Sequence, residues 1–443
     1  MKPEKTVLWP KEAVRDSMND LCIDIDYSQL FKHGQKIGGD VYYVDRNEDS
    51  NVMTVILSDG LGSGVRANVL ASLTSHMASK LSLSPMDLEK SAEVIMDTLP
   101  IDSVKGISYS TFTIARIVFS DDKSYIRVEL AEYDNPESLR FVGSEPVEWD
   151  KTAFRLRRKK AIKEEIVYSS SFEMKEGDRL IFFSDGVAQS GISLGPSGGA
   201  REQDPAYAAF RPHNRPVQSL PSVVKSRGWG IENASAFIQK KLTNDPGISA
   251  RQLARAIVSE ANKNDGYKPN DDITCCVIQV RKPRRTLIVT GAPRNRESDK
   301  KLGERVINFD GQVIVCGGTT AKIIARELGK DIKADKSPAG NLPPSSKIEG
   351  VDLVTEGMLT LSEVAKRLKS GTLLKHMTED AAKRMIQLLR ETDQIEIIVG
   401  TKINDEIEDP STAAKIGLRF PTIDEIQKAL EKQYFKECEV LYL

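Results

Sequence analysis

The stretch VILSDGLGSGVRAN, residues 55–68, leads from an apolar run into an aspartate and a glycine-rich loop. Its β-branched and leucine residues predict a buried strand that ends at Asp59-Gly60, with a helix after the loop. The stretch IFFSDG, residues 181–186, repeats this arrangement at Asp185-Gly186. A carboxylate at a strand end projects past the sheet edge, and glycine beside it lets backbone, metal or phosphate approach closely.

Two further acidic positions stand beside predicted strands. Asp40 follows two glycines and precedes VYYV, and Asp271 precedes ITCCVIQV. Aspartates gathered from several strand ends, without His or Cys, form an all-oxygen site that Mg²⁺ or Mn²⁺ prefers. Two such ions can lower the pKa of a bridging water and bind a phosphoryl oxygen. The alternative is that each Asp-Gly pair is simply a turn.

The composition argues against several other classes of protein. The chain has 443 residues, 40% apolar and 29% charged, which suits two or three globular domains. Because 63 basic residues balance 64 acidic ones, we expect no nucleic-acid binding. No apolar run approaches the ~18 residues of a membrane span, and the first twenty residues lack the apolar core of a secretory signal.

Cysteine and histidine usage points away from a zinc site. The five cysteines include no CxxC pair, and the four histidines lack helical ligand spacing. Reduced thiols are typical of the cytoplasm, which is the expected location.

The first part of the chain alternates strand patterns with a few helices, which indicates an α+β domain. Strands are predicted at 52–57, 110–119, 124–133, 178–183 and 273–280. Helices are predicted at 66–80, 87–99, 232–242 and 250–263, the last with Ser249 as N-cap. The stretch 191–230 is rich in Gly and Pro without a period, so it is a functional flap or an inert insertion. The basic linker RKPRR, 281–285, places a domain boundary between 1–283 and 284–443.

The second part alternates short apolar strands with helices, which predicts a smaller, doubly wound, Rossmann-like α/β domain. The strands are 286–290, 312–316, 351–355 and 395–399, and capping boxes at Thr360-x-x-Glu363 and Thr422-x-x-Glu425 predict two helix starts. Gly317-Gly318 before a helix is either an anion site or a structural tight turn. We expect this domain to bind a small ligand or a protein partner in a regulatory role.

The four motifs GGDVYY, LSDGLGSGVRAN, FFSDGV and NDDIT occur in the order seen in one protein family. Over residues 20–281 the chain resembles the metal-dependent type 2C (PPM) Ser/Thr protein phosphatases, and most of all the bacterial branch of stage II sporulation protein E. The resemblance implies an α-β-β-α sandwich holding two Mn²⁺ or Mg²⁺ ions. It also implies a metal-bridging hydroxide that attacks phosphoserine or phosphothreonine in a regulatory phosphoprotein.

The resemblance implies a role for each matching position. Asp59 would bridge both ions and the Gly60 carbonyl would ligate one. Asp185 and Asp271 would complete the shell of the other ion, so Asp59, Asp185 and Asp271 are the candidate catalytic residues. Asp40 would reach its ion directly or through water.

Some positions depart from the family pattern. Gln35 stands where eukaryotic relatives carry a phosphate-binding arginine, which leaves Lys36 or His33 as guesses for that role. Gln189 replaces a frequent acidic residue, which weakens any claim for a third ion. Asp272 stands where many relatives have Asn, and we expect it to hydrogen-bond behind the metal ligands.

The helices predicted at 66–80 and 87–99 occupy the place of a regulatory switch in the sporulation branch. They could equally be two amphipathic helices that cover a sheet. Two other functions stay open for the chain: a catalytically silent PPM-like binding module, and a metal phosphohydrolase acting on a small phosphate ester.

Overall fold

The computed structural model describes residues 21–47, 51–100, 110–120, 124–156, 165–192, 228–337, 340–402, 410–434 and 436–443. These residues fall into two compact units, one ending at Lys282 and the other beginning at Pro283. Most of the predicted flap or insertion, 193–227, lies outside the described residues. No helix in the described ranges is long and apolar enough to cross a membrane.

The first unit contains two antiparallel sheets. The strands are β1 (Cys22–Leu30), β2 (Asp40–Asn47), β3 (Val52–Asp59), β4 (Phe112–Phe119), β5 (Ile126–Tyr133), β6 (Leu139–Val142), β7 (Glu145–Val147), β8 (Thr152–Leu156), β9 (Glu165–Met174), β10 (Arg179–Phe183) and β11 (Ile273–Arg281). The six-stranded sheet has the order β2-β3-β4-β5-β9-β8, and the five-stranded sheet has the order β1-β11-β10-β6-β7.

Alternating side chains of these strands fill three apolar layers. Val55 and Leu57 face the five-stranded sheet, where they pack with Phe182 and Ile278, whereas Ile56 packs beneath the helices on the outer face. These outer helices are α1 (Val65–Ser82) and α2 (Leu88–Thr98). The other sheet is covered by α4 (Gly230–Asn244) and α5 (Ala250–Asn264), and the one-turn α3 (Asp185–Ala188) follows β10. The predicted α-β-β-α sandwich is confirmed.

Helix boundaries in this unit follow local signals. Ser249 caps α5 as predicted, because its hydroxyl accepts the Gln252 amide and the Gln252 side chain accepts the Ser249 amide. The α1 helix has no side-chain cap and starts after Gly64, whose φ of 73° suits glycine. The glycine-rich loop therefore starts this helix through backbone geometry.

The second unit contains one seven-stranded sheet. Its strands are β12 (Arg285–Thr290), β13 (Gln312–Cys316), β14 (Lys333–Ala334), β15 (Ser346–Ile348), β16 (Val351–Thr355), β17 (Gln394–Val399) and β18 (Glu437–Tyr442). They lie in the order β14-β15-β16-β13-β12-β17-β18. Strands β16, β13, β12, β17 and β18 are parallel, whereas the edge pairs β14–β15 and β15–β16 are antiparallel.

Helices cover both faces of this sheet, so the predicted doubly wound α/β fold is confirmed. The helices are α6 (Arg296–Ile307), α7 (Gly318–Leu328), α8 (Met358–Lys369), α9 (Ala381–Glu391) and α10 (Pro410–Tyr434). Helices α6 and α7 pack on one face, beside Leu287 and Val289. Helices α8, α9 and α10 pack on the other face, beside Ile288 and Ile314.

Both capping-box predictions in this unit are wrong. Thr360 lies inside α8, which starts after Gly357 at a φ of 125°, and Thr422 lies inside α10. In α8 the strand-end glycine sets the helix start, and Glu363 pairs with Arg367 instead of capping. Gly317 likewise makes the turn from β13 into α7, with a φ of 115° and no side-chain cap.

Candidate metal centre

The four predicted aspartates come from strand ends in both sheets of the first unit. Asp40 begins β2 and lies directly opposite Asp59, the last residue of β3. Asp185 begins α3 just after β10, and Asp271 precedes the neighbouring strand β11. The hydroxyl of Thr274 on β11 donates to Asp40 Oδ2 at 2.6 Å, which joins the two sheets at this end. The structure therefore brings strand ends distant in sequence to one end of the sandwich.

Asp40, which is buried, and Asp59, which is partly exposed, form a carboxyl pair. Asp40 is 3% exposed, and burial raises its pKa to about 8 against the lowering effect of the Thr274 and Ser184 hydroxyls. Burial also raises the pKa of Asp59, and Asp40, Asp185 and Asp271 raise it further. Like charges this close disfavour ionisation of both groups, so the metal-free pair holds a proton.

Asp185 and Asp271 have cationic or amide partners. The Gln189 side-chain amide donates to Asp185 Oδ2 at 2.7 Å. The Lys32 ammonium lies 3.8 Å from Asp271 Oδ1. Gln189 thus orients a carboxylate where an acidic residue would have added another negative charge.

Asp272 is buried and binds backbone amides, as its predicted supporting role requires. Its Oδ1 accepts the Lys32 amide at 2.9 Å and its Oδ2 accepts the Gly39 amide at 2.6 Å. These bonds tie the loop before Asp40 to the start of β11. Asp272 therefore helps to place Asp40, which lies on the other sheet.

The glycines that follow the two strand-end aspartates lie in close contact with the backbone of other segments. A Cβ on Gly60 would overlap the Ala67 carbonyl in the first turn of α1, and a Cβ on Gly186 would overlap the Asp272 carbonyl. The Asn68 side-chain amide also donates to the Gly38 carbonyl at 2.8 Å. The start of α1 thus packs against the loops that carry Asp40 and Gly60.

The donor set fits a hard divalent cation. It consists of carboxylate and backbone oxygens, and a cation would relieve the mutual repulsion that raises the pKa values of Asp40 and Asp59. Within the described ranges, no three acidic, histidine or cysteine side chains converge closely enough to hold an ion as they stand. A metal centre here would therefore require these side chains to rearrange.

Sequence reasoning missed two residues of this site. Lys32 supplies a positive charge beside Asp271, whereas the side chains of Lys36 and His33 are exposed and contact none of the four aspartates in the described structure. Thr274, which donates a hydrogen bond to Asp40, is the last residue of the motif NDDIT, and the motif alone did not indicate this bond. No local signal marks Lys32, because the fold brings its loop to the start of β11.

Comparison with known proteins gives a family and several similar folds. A family model described as "Stage II sporulation protein E (SpoIIE)" matches residues 49–281. No curated protein matches the chain. The SpoIIE phosphatase domain from Bacillus subtilis is 17% identical, covering 60% of this chain and 94% of that one, with a TM-score of 0.39.

Two further solved structures are similar at the same level. A longer SpoIIE fragment from Bacillus subtilis, with part of its regulatory domain, is 18% identical with a TM-score of 0.41; the match covers 59% of this chain and 64% of that one. RsbX in complex with magnesium is 16% identical with a TM-score of 0.36; the match covers 58% of this chain and 95% of that one. Values this low do not carry chemistry from one protein to another. The family match, which covers more than half of the chain, shows that the protein belongs to the SpoIIE family of PP2C-type phosphatases.

Proposed function

We propose that the first unit hydrolyses phosphoserine or phosphothreonine in a regulatory protein, with the help of two Mn²⁺ or Mg²⁺ ions. The observation that carries this proposal is the carboxyl pair of Asp40 and Asp59, which lie opposite each other and whose ionisation is disfavoured further by Asp185 and Asp271. Neighbouring carboxylates disfavour one another's ionisation, and a bound cation would remove that penalty. Family membership supplies the matching chemistry.

Each residue of the site takes a distinct part in this proposal. Asp59 would be shared by both ions, the Gly60 carbonyl and Asp40 would bind on one side, and Asp185 and Asp271 would bind on the other. When bound, the ions would lower the pKa of a shared water and neutralise charge on the phosphoryl group. Thr274 keeps Asp40 oriented through its 2.6 Å hydrogen bond.

Lys32 is our candidate for anchoring the phosphate. Its ammonium lies at Asp271 and remains 35% exposed, so it can face a substrate at the same end of the sandwich. A lysine binds phosphate as a point charge and does not need the bidentate geometry of arginine. It would replace the arginine expected at Gln35.

The start of α1 supports a regulatory role for the helix pair. Ala67 packs against Gly60 and Gly39, and Asn68 bonds to Gly38, so a shift of α1 would displace both metal-bearing loops. We propose that α1 and α2 act as a switch for the site. We also propose that 284–443 is a regulatory or ligand-binding domain, which a comparison of rates between fragment 1–283 and the full chain would test.

The central test is hydrolysis of a phosphoserine or phosphothreonine peptide and of p-nitrophenyl phosphate, with and without Mn²⁺. We expect metal-dependent rates that fall to about 1% or less in Asp59→Ala, as is usual for loss of a central catalytic group. Asp150→Asn, an exposed carboxylate outside the site, is the control and should keep full activity. Faster turnover of small esters than of phosphopeptides would contradict the proposed substrate class.

A silent binding module is the second candidate function. It is favoured by the finding that no three metal-ligating side chains converge among the residues described. Calorimetric titration with Mn²⁺ separates the two candidates, because only an enzyme site needs the ions. If wild type binds no Mn²⁺ and hydrolyses neither substrate, the module is the better account.

A further inference from the structure

The end of strand β3, which carries Asp59, pairs irregularly with the residues before β4. Gly60 bridges to Ser110, so Asp59 lies opposite Thr111 in the same antiparallel register. The Thr111 amide donates to the Asp59 carbonyl at 2.8 Å, which is one of the two bonds of a regular ladder pair. The other bond differs, because the Asp59 amide donates at 3.1 Å to the side-chain hydroxyl of Thr111. A hydroxyl therefore takes the place of a backbone carbonyl beside a predicted metal ligand.

The Thr111 carbonyl, which a regular pair would have used, has a side-chain partner as well. The Ser58 hydroxyl donates to it at 2.7 Å. The Ser110 hydroxyl lies 2.7 Å from that of Ser58 and donates to the Asp59 carbonyl at 3.1 Å. Ser58 and Ser110 are both buried, where hydrogen bonds are stronger than in water. Side-chain hydroxyls thus hold the backbone on both sides of the Asp59 Cα.

Asn135 fixes the direction of the Thr111 hydroxyl. Its side chain is 4% exposed, and its Oδ1 accepts the Thr111 hydroxyl at 2.5 Å. Its Nδ2 donates to the Leu57 carbonyl at 3.3 Å and to the Thr113 hydroxyl at 3.0 Å. Because a carbonyl can only accept, the NH₂ group must face Leu57 and the oxygen must face Thr111. Thr111 therefore gives its proton to Asn135 and keeps its lone pairs for the Asp59 amide.

A strained turn brings Asn135 to this position. Asp134, which follows β5 directly, has a φ of 56°, in the left-handed region that is unfavourable for most residues other than glycine. Such strain persists only where the surrounding structure maintains it. The side chain of Asn135 bonds to β3 and to the first residues of the β4 segment. Its burial is therefore coupled to the strand end that carries Asp59.

We propose that Thr111 and Asn135 are positioning residues for the metal centre. The amide and the carbonyl of Asp59 belong to the two planar peptide groups that flank its Cα. Holding both groups fixes the direction in which the carboxylate leaves the strand. Neither positioning residue would touch an ion or the substrate. This role rests on the function proposed above, in which Asp59 is shared by two ions, and it adds two residues that the motif order did not indicate.

Calorimetric titration of the full chain with Mn²⁺ tests the proposal in Thr111→Val, which keeps the shape of the side chain but removes its hydroxyl. We expect the Mn²⁺ affinity to fall by about tenfold, the range for loss of a group that orients a metal ligand. Thr111→Ser keeps the hydroxyl and should bind Mn²⁺ nearly as wild type does. Thr54→Val is the matched control, five residues before Asp59 on the same strand. The Thr54 hydroxyl is buried without a partner among the described residues, so this variant should bind as wild type does.

Asn135→Ala separates positioning from general support of the fold. It leaves the Thr111 hydroxyl in place but frees its proton, so the loss of Mn²⁺ affinity should be smaller than in Thr111→Val. The double variant should bind Mn²⁺ no more weakly than Thr111→Val alone, because Asn135 acts on Asp59 through the Thr111 hydroxyl. Urea unfolding in EDTA checks that each variant is folded under the titration conditions. Independent losses from two merely structural residues would instead add.

The proposal is overturned if Thr111→Val binds Mn²⁺ as tightly as wild type, or if Thr111→Ser or Thr54→Val binds as weakly as Thr111→Val. Additive losses in the double variant would overturn it too. If Thr111→Val does not fold, Asn135→Ala decides, and an unchanged Mn²⁺ affinity in that variant refutes the positioning role. The proposed phosphatase function survives all these outcomes as long as wild type binds Mn²⁺ and hydrolyses a phosphopeptide. A wild type that does neither refutes that function, and the positioning role with it.

Discussion

Replacing Asp40 by asparagine should stabilise the metal-free protein, although the same change should weaken metal binding. In the folded chain the carboxyl is buried against Asp59 and its pKa is raised to about 8. Asparagine matches the protonated form in shape. Its oxygen can accept from the Thr274 hydroxyl, and its amide can donate to Asp59.

The magnitude follows from proton linkage. In the unfolded chain an aspartate has a pKa of about 3.9, so it is ionised at pH 7, whereas folded Asp40 keeps its proton. Each pH unit between about 3.9 and 7 weakens folding by about 1.4 kcal/mol, or about 4 kcal/mol in all. Because the folded-state pKa is raised, wild-type stability is complete below pH ~4 and falls until about pH 8. The advantage of Asp40→Asn should therefore grow over this interval.

Urea unfolding in EDTA at several pH values between 4 and 8 measures this difference. Fluorescence of Trp149, which packs against Phe172 in the first unit, reports on the relevant core. With saturating Mn²⁺, wild type should become more stable than Asp40→Asn, because metal binding stabilises wild type more than the variant.

Asp45→Asn is the matched control, five residues along β2. The Ser79 hydroxyl and the Lys80 ammonium hold the pKa of Asp45 below its usual range, so its replacement should not stabilise the protein. If Asp40→Asn is no more stable than wild type at pH 7 in EDTA, or its advantage does not shrink towards pH 4, the reasoning about the buried Asp40 carboxyl is wrong.

Three other predictions concern substitutions of single residues. Lys32→Met should raise KM for a phosphopeptide with a smaller effect on the Mn²⁺ midpoint, and Lys32→Arg should restore it; an unchanged KM would refute the anchoring role. Gly60→Ala should lower the free energy of unfolding by about 2 kcal/mol or more, because its Cβ would overlap α1, whereas Gly247→Ala has ordinary room and should change little. Asp380→Asn should destabilise by about 2 kcal/mol at pH 7, since it breaks the buried pair with Arg367. Burial alone would raise the pKa of Asp380, but hydrogen bonds from Arg367 and backbone amides lower it, so this difference should shrink in urea titrations as pH falls towards 3.

Local sequence was enough to locate most strands and the four aspartates. Runs such as 52–57 and 273–280 are rich in β-branched residues and lie next to aspartate or glycine. Both are strands whose ends fall within two residues of the predicted ends. The motif order then indicated the family and the sandwich. These signals are short-range, because strand preference and turn chemistry act within a few residues.

Helix starts in the second unit show where local rules misled. The Thr-x-x-Glu patterns at 360 and 422 satisfy a capping box in sequence, yet both lie within helices. In α8 the start is set by Gly357, whose positive φ turns the chain out of β16 next to Gly317. Packing of neighbouring strand ends thus overrode a local preference.

Only the tertiary structure determined which charges share a site. Strands β1 and β2 are consecutive but join different sheets, and this arrangement brings Lys32 to Asp271 and Thr274 to Asp40. Asn135 likewise meets Thr111 through the turn that follows β5. No sequence period encodes such pairs, because sheet order and long-range packing bring them together. The sequence alone placed four aspartates at strand ends, and the fold determined which residues lie beside them.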